Sequence, residues 1–326
     1  MKYIINNSNN AYYNVALEEY AFKYLEDEIF ILWINANSII LGKYQNALEE
    51  IDKNYTKEHN INVVRRISGG GAVYHDLGNI NYSIISNKKH DKPFDFALFS
   101  LPVINALKKL GVNAVFHGRN DIEIEGQKIC GNAQAYSKNR LLHHGCLLYD
   151  VDLSILSKAL VVSKDKIESK GIKSVRARVT NIRPHLKVDL DANGFKEALM
   201  NEMKESHEDF CEYKLSQSEL AKIDEIAKYK ESWEWNWGEA PKCSIRRDRK
   251  FPSAKLSILI DVQNSIINDI HFYGDFFSAK DTQDLILLLK GKRYEKEEID
   301  AALKDIKVED FIAGVDASML SEALVD

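Results

Sequence analysis

Residues 65–83 read RRISGGGAVYHDLGNINYS, from Arg65 to Ser83. Two adjacent arginines precede three consecutive glycines, and a His-Asp pair and a Gly-Asn turn follow. Val63–Ile67 before the glycines and Ile80–Ile85 after them have β-strand character, with Ile80, Tyr82 and Ile84 on one face. Gly69, Gly70 and Gly71 therefore lie in a tight connection between strands. Three glycines in a row weaken a strand, because glycine loses the most backbone entropy on folding. Close approach of a ligand to bare backbone N–H groups is the expected compensation. Two fixed cations beside that backbone describe an anion site for a phosphate or carboxylate. The sequence has no GxxxxGK[ST], and the GxGxxG spacing of a Rossmann turn is absent. The order is strand, glycines, strand, so a phosphate cradle at a helix N-terminus is not expected.

The surrounding chain sets the class. At 326 residues it has room for one large or two ordinary domains, and 45% apolar with 29% charged residues is a globular composition. No apolar run approaches the length needed to span a bilayer. The start, MKYIINNSNNAYY, lacks the apolar core of a signal peptide, so a cytoplasmic location is expected. The four cysteines, Cys130, Cys146, Cys211 and Cys243, form no CxxC, which argues for reduced thiols and against a zinc site. A net charge of −5 argues against a dedicated nucleic-acid binder.

Upstream, Asn14–Leu25 reads as an amphipathic helix with Glu18 and Glu19 on a solvated face. Ile29–Ile34 and Ser38–Leu41 read as strands joined by an Asn-Ala-Asn turn, and Gln45-Asn46 as either part of a site or a plain polar connection. Leu48–His59 reads as a short helix. Downstream, Phe94–Leu110 reads as a helix whose apolar stripe includes Leu98, Leu101, Val103, Ile104 and Leu107, closed by Gly111. Val115–His117, Asp121–Glu125, Lys128–Tyr136 and Leu141–Tyr149 form a mostly antiparallel meander. Residues 163–187 are strongly basic with little apolar periodicity. Gly171, Ser174, Arg176, Arg178, Thr180 and Asn181 there suit a loop that folds over a bound anion. Ala192–Glu208 and Gln217–Tyr229 read as helices, the second opened by a Ser216/Glu219 capping box. The tryptophans at 233, 235 and 237 alternate as on a buried strand face. After Pro241, three strands and two helices, the first helix opened by Ser278 with Asp281, describe a small α+β domain.

Lys128 sits in QKICGNAQAY beside Ile129 and Cys130. A lysine on an apolar strand needs an anionic partner if it points inward. Three blocks then carry the chemistry: Arg65–Ser83, Gly118-Arg119-Asn120-Asp121 with Lys128, and KGIKSVRARVTN at 170–181.

Taken in order, RRISGGGAVYHDLGN, GRNDIEIEGQKICGNA, HHGCLLYDVDLSIL and KGIKSVRARVTN resemble the lipoate–protein ligase A family, and WEWNWGEAP and the C-terminal region extend the resemblance over essentially the whole chain. That family is related in fold to biotin protein ligase and to class II aminoacyl-tRNA synthetases. The resemblance implies an α+β fold: a catalytic domain over 1–243 with a mixed, largely antiparallel sheet, and a small α+β accessory domain over 244–326. It implies an ATP-dependent reaction in which lipoate is activated as lipoyl-AMP and the lipoyl group passes to a lysine of a lipoyl domain. The acceptor classes are a glycine-cleavage H protein or a 2-oxoacid dehydrogenase E2.

On that resemblance, Lys128 bridges the lipoyl carboxyl and the α-phosphate. Arg66, the backbone of Gly71, Ala72, Val73 and Tyr74, and Arg176 and Arg178 bind ATP. Gly69, Gly70, Gly71 and His75 border the lipoate groove, with His75, His143 and His144 in structural roles. Asn120 and Asp121 position phosphate or Mg2+, with Asp121 as the metal-binding carboxylate. Cys130 stands where the family often has serine, Tyr74 where phenylalanine is common, and Ala254 where glycine is frequent. The alternatives are an ATP-independent octanoyl or lipoyl amidotransferase using Cys130 as nucleophile, and a non-catalytic lipoate-binding module.

Overall fold

The structure, a computed structural model, describes residues 1–87, 94–137, 139–159, 179–237 and 244–325. The chain begins with β1 (Lys2–Ile4), α1 (Ala11–Tyr24), β2 (Ile29–Trp33) and β3 (Ser38–Leu41). Two short helices, α2 (Ala47–Glu50) and α3 (Lys53–Glu58), lead to β4 (Asn62–Arg65), β5 (Val73–His75) and β6 (Asn79–Ser86). Next come α4 (Phe96–Lys109), β7 (Ala114–His117), β8 (Asp121–Ile124), β9 (Gln127–Ser137), β10 (Arg140–Leu148) and α5 (Leu156–Ala159). Then α6 (Ala192–Ser206), β11 (Cys211–Glu212), α7 (Gln217–Glu231) and α8 (Trp233–Asn236) complete the first part.

The main sheet runs β11-β1-β2-β6-β10-β9-β8-β7. It is parallel at β11-β1-β2 and antiparallel elsewhere. The mixed, largely antiparallel sheet expected from the sequence is present. Side-chain alternation sorts its two faces. Phe30, Leu32, Ile80, Tyr82, Ile84, Leu141 and Leu147 pack under α4 and α6. Ile29, Ile31, Trp33, Ile85 and Leu142 pack under α1 and α7. Helices cover both faces, and the functional cavity opens on the α1 face.

The decisive stretch folds differently from a simple strand-glycine-strand hairpin. β4 and β5 do not pair with each other. Both flank β3, parallel on one side and antiparallel on the other, in a separate small sheet. The glycines cross over the end of β3, and β6 then enters the main sheet. Tertiary pairing with β3, distant in sequence, decides this.

Other expectations are also corrected. Glu18 and Glu19 are buried rather than solvated. Glu19 lies between Lys23 (2.6 Å) and Lys230 (2.5 Å). In α4, Asp95 caps the first turn and the buried face is Phe96, Phe99, Ser100, Val103, Ala106 and Leu107; Leu98 and Leu101 face solvent. The tryptophan stretch is helical. Ser232 Oγ accepts from Trp235 N at 3.2 Å, an N-cap that overrides the alternating pattern. Leu48–His59 is split in two by Asp52, which caps α3.

The C-terminal part is the expected meander, β12 (Ile245–Lys250), β13 (Lys255–Gln263) and β14 (Ile266–Asp275), followed by α9 (Thr282–Leu289), α10 (Lys296–Leu303) and a further helix, α11 (Ala317–Val325). The N-cap of α9 is Asp281, not Ser278. This part has its own apolar core around Ile258, Ile260, Phe272, Leu289 and Leu320. Its β14 end reaches back to the glycines: Gly70 N donates to Phe276 O at 3.0 Å, and Tyr44 stacks on Phe276 at 4.4 Å between centroids. Among the described residues no helix is long and apolar enough to cross a membrane.

Candidate active site

Strand register builds the floor of the site. Trp33 pairs with Asn81, Asn81 with Cys146, Cys146 with Gly131, and Gly131 with Asp121. All five line one cavity of about 320 Å³. The row crosses four strand spacings, a span of about 19 Å. Trp33, Ile40 and His75 give one end its aromatic and apolar character, and Arg119, Asn120, Asp121 and Lys128 make the other end polar.

Lys128 belongs to the polar end. Its Nζ lies 2.7 Å from Asp121 Oδ1. Burial acts to lower the lysine pKa, but Asp121 outweighs it and the net shift is upward, so the ammonium stays charged. The side chain folds over Gly131, where a methyl would meet Nζ at 2.8 Å. Thr180 N donates to Lys128 O at 3.0 Å, so the chain leaving the basic segment returns to this lysine. Arg176 and Arg178 lie outside the described residues, as does most of that segment. Asn181 is spent on structure, pairing through its amide with the backbone of Val151.

The roof is the glycine loop. Arg66 Nη2 donates to Gly69 O (2.7 Å) and Gly71 O (2.9 Å), Nη1 to Ile40 O (3.1 Å), and Nε to Ser68 Oγ (3.1 Å). Burial pulls its pKa down to about 10, and it remains a cation. Arg66 lines the cavity, yet its donors are committed to shaping the loop. The glycines answer first to protein backbone: a Cβ on Gly69 would fall 2.0 Å from Phe276 O, and one on Gly42 would fall 1.9 Å from Gly70 O. Gly70 has φ +97°, which favours glycine. Gly70, Gly71, Ala72 and Val73 line the cavity, while Gly69 faces a neighbouring cleft with Lys43 and Lys280. The Tyr74 side chain turns away into the small-sheet core, leaving only its backbone near the loop. Arg65 instead holds the adjoining 42–45 loop, through the carbonyls of Gly42, Lys43 and Gln45, and ties it to Trp235 and Asn236.

Glu18 carried no functional signal in the sequence, yet it lines the cavity. Glu18 Oε1 accepts from Ser83 Oγ (2.5 Å) and His144 Nδ1 (2.8 Å). With its Nδ1 proton given to Glu18, His144 accepts from the Ser68 hydroxyl at Nε2 (2.6 Å). This buried chain ties the glycine loop to α1. Ser68 has the partners of a serine nucleophile, but its oxygen is buried and already accepts from Arg66. Arg119 joins the two parts of the protein, donating to Ser253 O (2.5 Å) and to Asp275 Oδ1 (3.4 Å) under the Phe277 ring. Asn120 Nδ2 donates to Asn132 O at 2.5 Å, which fixes the turn into β8.

Cys130 is on the other face. Its thiol is buried in the core under α4, and burial pushes its pKa well up. The thiol that lines the cavity is Cys146. Among the described residues no three His, Cys, Asp or Glu side chains converge as a metal cluster, and Asp121 is a single carboxylate paired with an ammonium.

Comparison with known proteins agrees with this arrangement. Residues 10–204 match the family model for the lipoyl protein ligase A/B catalytic domain, and residues 240–324 match that for the bacterial lipoate protein ligase C-terminus. The chain is 40% identical to the lipoate-protein ligase LplJ of Bacillus subtilis over 95% of both chains. Among solved structures it resembles P. falciparum LipL1 in complex with lipoate, with a TM-score of 0.78, 27% identity and 94% of each chain covered. It also resembles lipoate-protein ligase A bound with ATP, with a TM-score of 0.63 and 30% identity over 73% of this chain and 98% of that one.

Proposed function

This chain belongs to the lipoyl protein ligase A/B family, and from that premise we propose that it joins lipoate to protein in two steps, through lipoyl-AMP. In the first, a lipoate carboxylate oxygen attacks the α-phosphorus of ATP and the bond to pyrophosphate breaks. In the second, the ε-amine of a lysine on a lipoyl domain attacks the acyl carbon. The bond to AMP breaks and the new amide nitrogen loses a proton. A carboxylate is a poor acyl donor, and AMP makes it a good one.

The observation that carries this reading is Lys128 beside Asp121 at the polar end of a cavity whose far end is Trp33 and His75. An ammonium there faces both reacting anions, the carboxylate and the α-phosphate, and offsets the charge that builds between them. The backbone of Gly71, Ala72, Val73 and Tyr74 is the phosphate-binding strip. Arg66 supports it by holding the loop and by its charge. Gly70 and His75 border the lipoyl end, whereas Gly69, expected there from the resemblance, faces the neighbouring cleft instead. Asp121 is the carboxylate suited to hold Mg2+ together with nucleotide phosphates, since Mg2+ takes one or two carboxylates and keeps oxygen ligands from substrate. Bound there, the ion would neutralise phosphate charge. The roles of Arg176 and Arg178 rest on the resemblance alone.

The catalytic part is assigned to 1–243 and the accessory part to 244–326. The acceptor is a lipoyl domain of the glycine-cleavage H protein or 2-oxoacid dehydrogenase E2 kind. An amidotransferase working through Cys130 is not favoured, because that thiol is buried on the opposite face of the sheet. Lipoate-dependent exchange of pyrophosphate into ATP tests the proposal. Exchange without any acceptor protein is expected; acyl transfer without exchange would oppose it.

A further inference from the structure

His75 has one ring nitrogen tied and the other free. It is buried, and its Nδ1 lies 3.1 Å from Asn35 Nδ2. Asn35 Oδ1 accepts from Asn14 Nδ2 at 2.9 Å. Asn14 Nδ2 also lies 3.0 Å from each of the carbonyls of Ser8 and Ile34, its two hydrogens being shared among the three oxygens. Those two carbonyls identify the Asn14 nitrogen, since only an NH2 can donate to both. The orientation of Asn35 follows: its oxygen faces Asn14, and its NH2 faces His75. Turning the amide would set two NH2 groups against each other. Nδ1 of His75 is therefore an acceptor. Burial, with Arg66 and His144 nearby, holds the ring at about 3, so it is neutral. A neutral imidazole with its lone pair on Nδ1 carries its proton on Nε2.

That Nε2–H is buried and has no hydrogen-bond partner among the described residues. The ring lines the cavity and stands edge-on to Trp33, 6.3 Å between centroids. An unpaired buried donor costs stability until a ligand supplies an acceptor. A carboxylate beside Lys128 on β9 directs an eight-carbon acid across β10 and β6 toward Trp33 on β2. His75 stands at that far end. Octanoate arrives there with a methyl group, which accepts nothing. The dithiolane of lipoate arrives with sulfur, a weak acceptor.

We infer that the Nε2–H of His75 is a fixed donor to the sulfur-bearing end of the substrate and sets a preference for lipoate over sulfur-free acids of the same shape. The inference rests on the lipoate reading above. Asn14 and Asn35 act through His75, as positioning residues that fix its tautomer.

The test compares kcat/KM in pyrophosphate exchange for lipoate, octanoate and 5-cyclopentylpentanoate, which keeps the five-membered ring without sulfur. Wild-type enzyme is expected to favour lipoate over the cyclopentyl acid by about 5- to 50-fold. His75→Phe keeps a ring against Trp33 without the N–H, and should bring that ratio to within about twofold. The wild-type comparison stands whether or not the variant folds. Nitrogen-15 shifts of His75 in the wild type give a second readout, expected to show the Nε2–H tautomer. Equal use of lipoate and the cyclopentyl acid, an unchanged ratio in a folded variant, or an Nδ1–H tautomer overturns the inference. Lack of exchange with all three acids overturns the lipoate reading as well.

Discussion

Lys128 Nζ lies 2.7 Å from Asp121 Oδ1, and its side chain reaches there by folding over the bare Cα of Gly131. β8 and β9 hold the pair in place, and their register shifts between Ile122 and Glu123, immediately beside it. A bulge of this kind re-aims side chains. The ammonium is thus placed by backbone geometry and kept charged by a carboxylate.

Gly131 is expected to matter through Lys128 alone. A methyl there would fall 2.8 Å from Nζ and 3.1 Å from Cε, the far end of a flexible side chain. Gly131→Ala should fold with a melting temperature within a few degrees of wild type. Its adenylation rate should fall by about 10²-fold, the cost of moving a charge by about 1 Å. A stopped-flow or exchange assay beside a melting curve checks both halves.

The buried pair of Glu19 and Lys230 should behave as one unit. Lys230 Nζ is 2.5 Å from Glu19 Oε2 and 3.3 Å from the Trp235 ring centroid. Lys230→Met leaves the Glu19 carboxylate with Lys23 as its remaining cation and should cost about 1–3 kcal/mol in denaturant unfolding. Adding Glu19→Met should recover most of that loss.

The same lysine gives a pH signature. Burial holds its pKa at about 8, against an ordinary 10.5. Between those values the unfolded chain keeps the proton and the folded chain releases it. Stability from this group therefore rises with pH from about 8 to about 10.5. Unfolding curves across that window should show the rise in wild type and a smaller one in Lys230→Met.

Cys130→Ser should keep ligase activity, because the thiol is sealed beneath α4 on the face opposite the cavity. Placing a hydroxyl in that core should lower stability by about 1–2 kcal/mol. Intact-mass measurement during turnover should find no acyl-thioester on the wild-type chain.

Much of this was legible in the sequence, for local reasons. The alternation Ile80, Tyr82, Ile84 marked a core-facing strand, the Ser216/Glu219 capping box marked a helix start, and Lys128 on an apolar strand marked a site. What was not legible depends on partners far along the chain. Glu18 reads as a surface residue until His144 and Ser83 fold against it. Gly69, Gly70 and Gly71 read as a ligand cradle, yet Gly69 is required by Phe276 O, and Gly70 O packs where a side chain on Gly42 would stand. The small sheet arises because β3 pairs with two strands that local pattern would join to each other. Tryptophans at alternate positions suggested a strand, and the Ser232 cap decided for a helix.

The most direct test of the account is lipoate-dependent pyrophosphate exchange into ATP, measured on wild type and Lys128→Ala without acceptor protein. Exchange is expected in the wild type, with a fall of about 10³-fold or more in the variant and unchanged circular dichroism. A folded Lys128→Ala protein that exchanges pyrophosphate at the wild-type rate would contradict it.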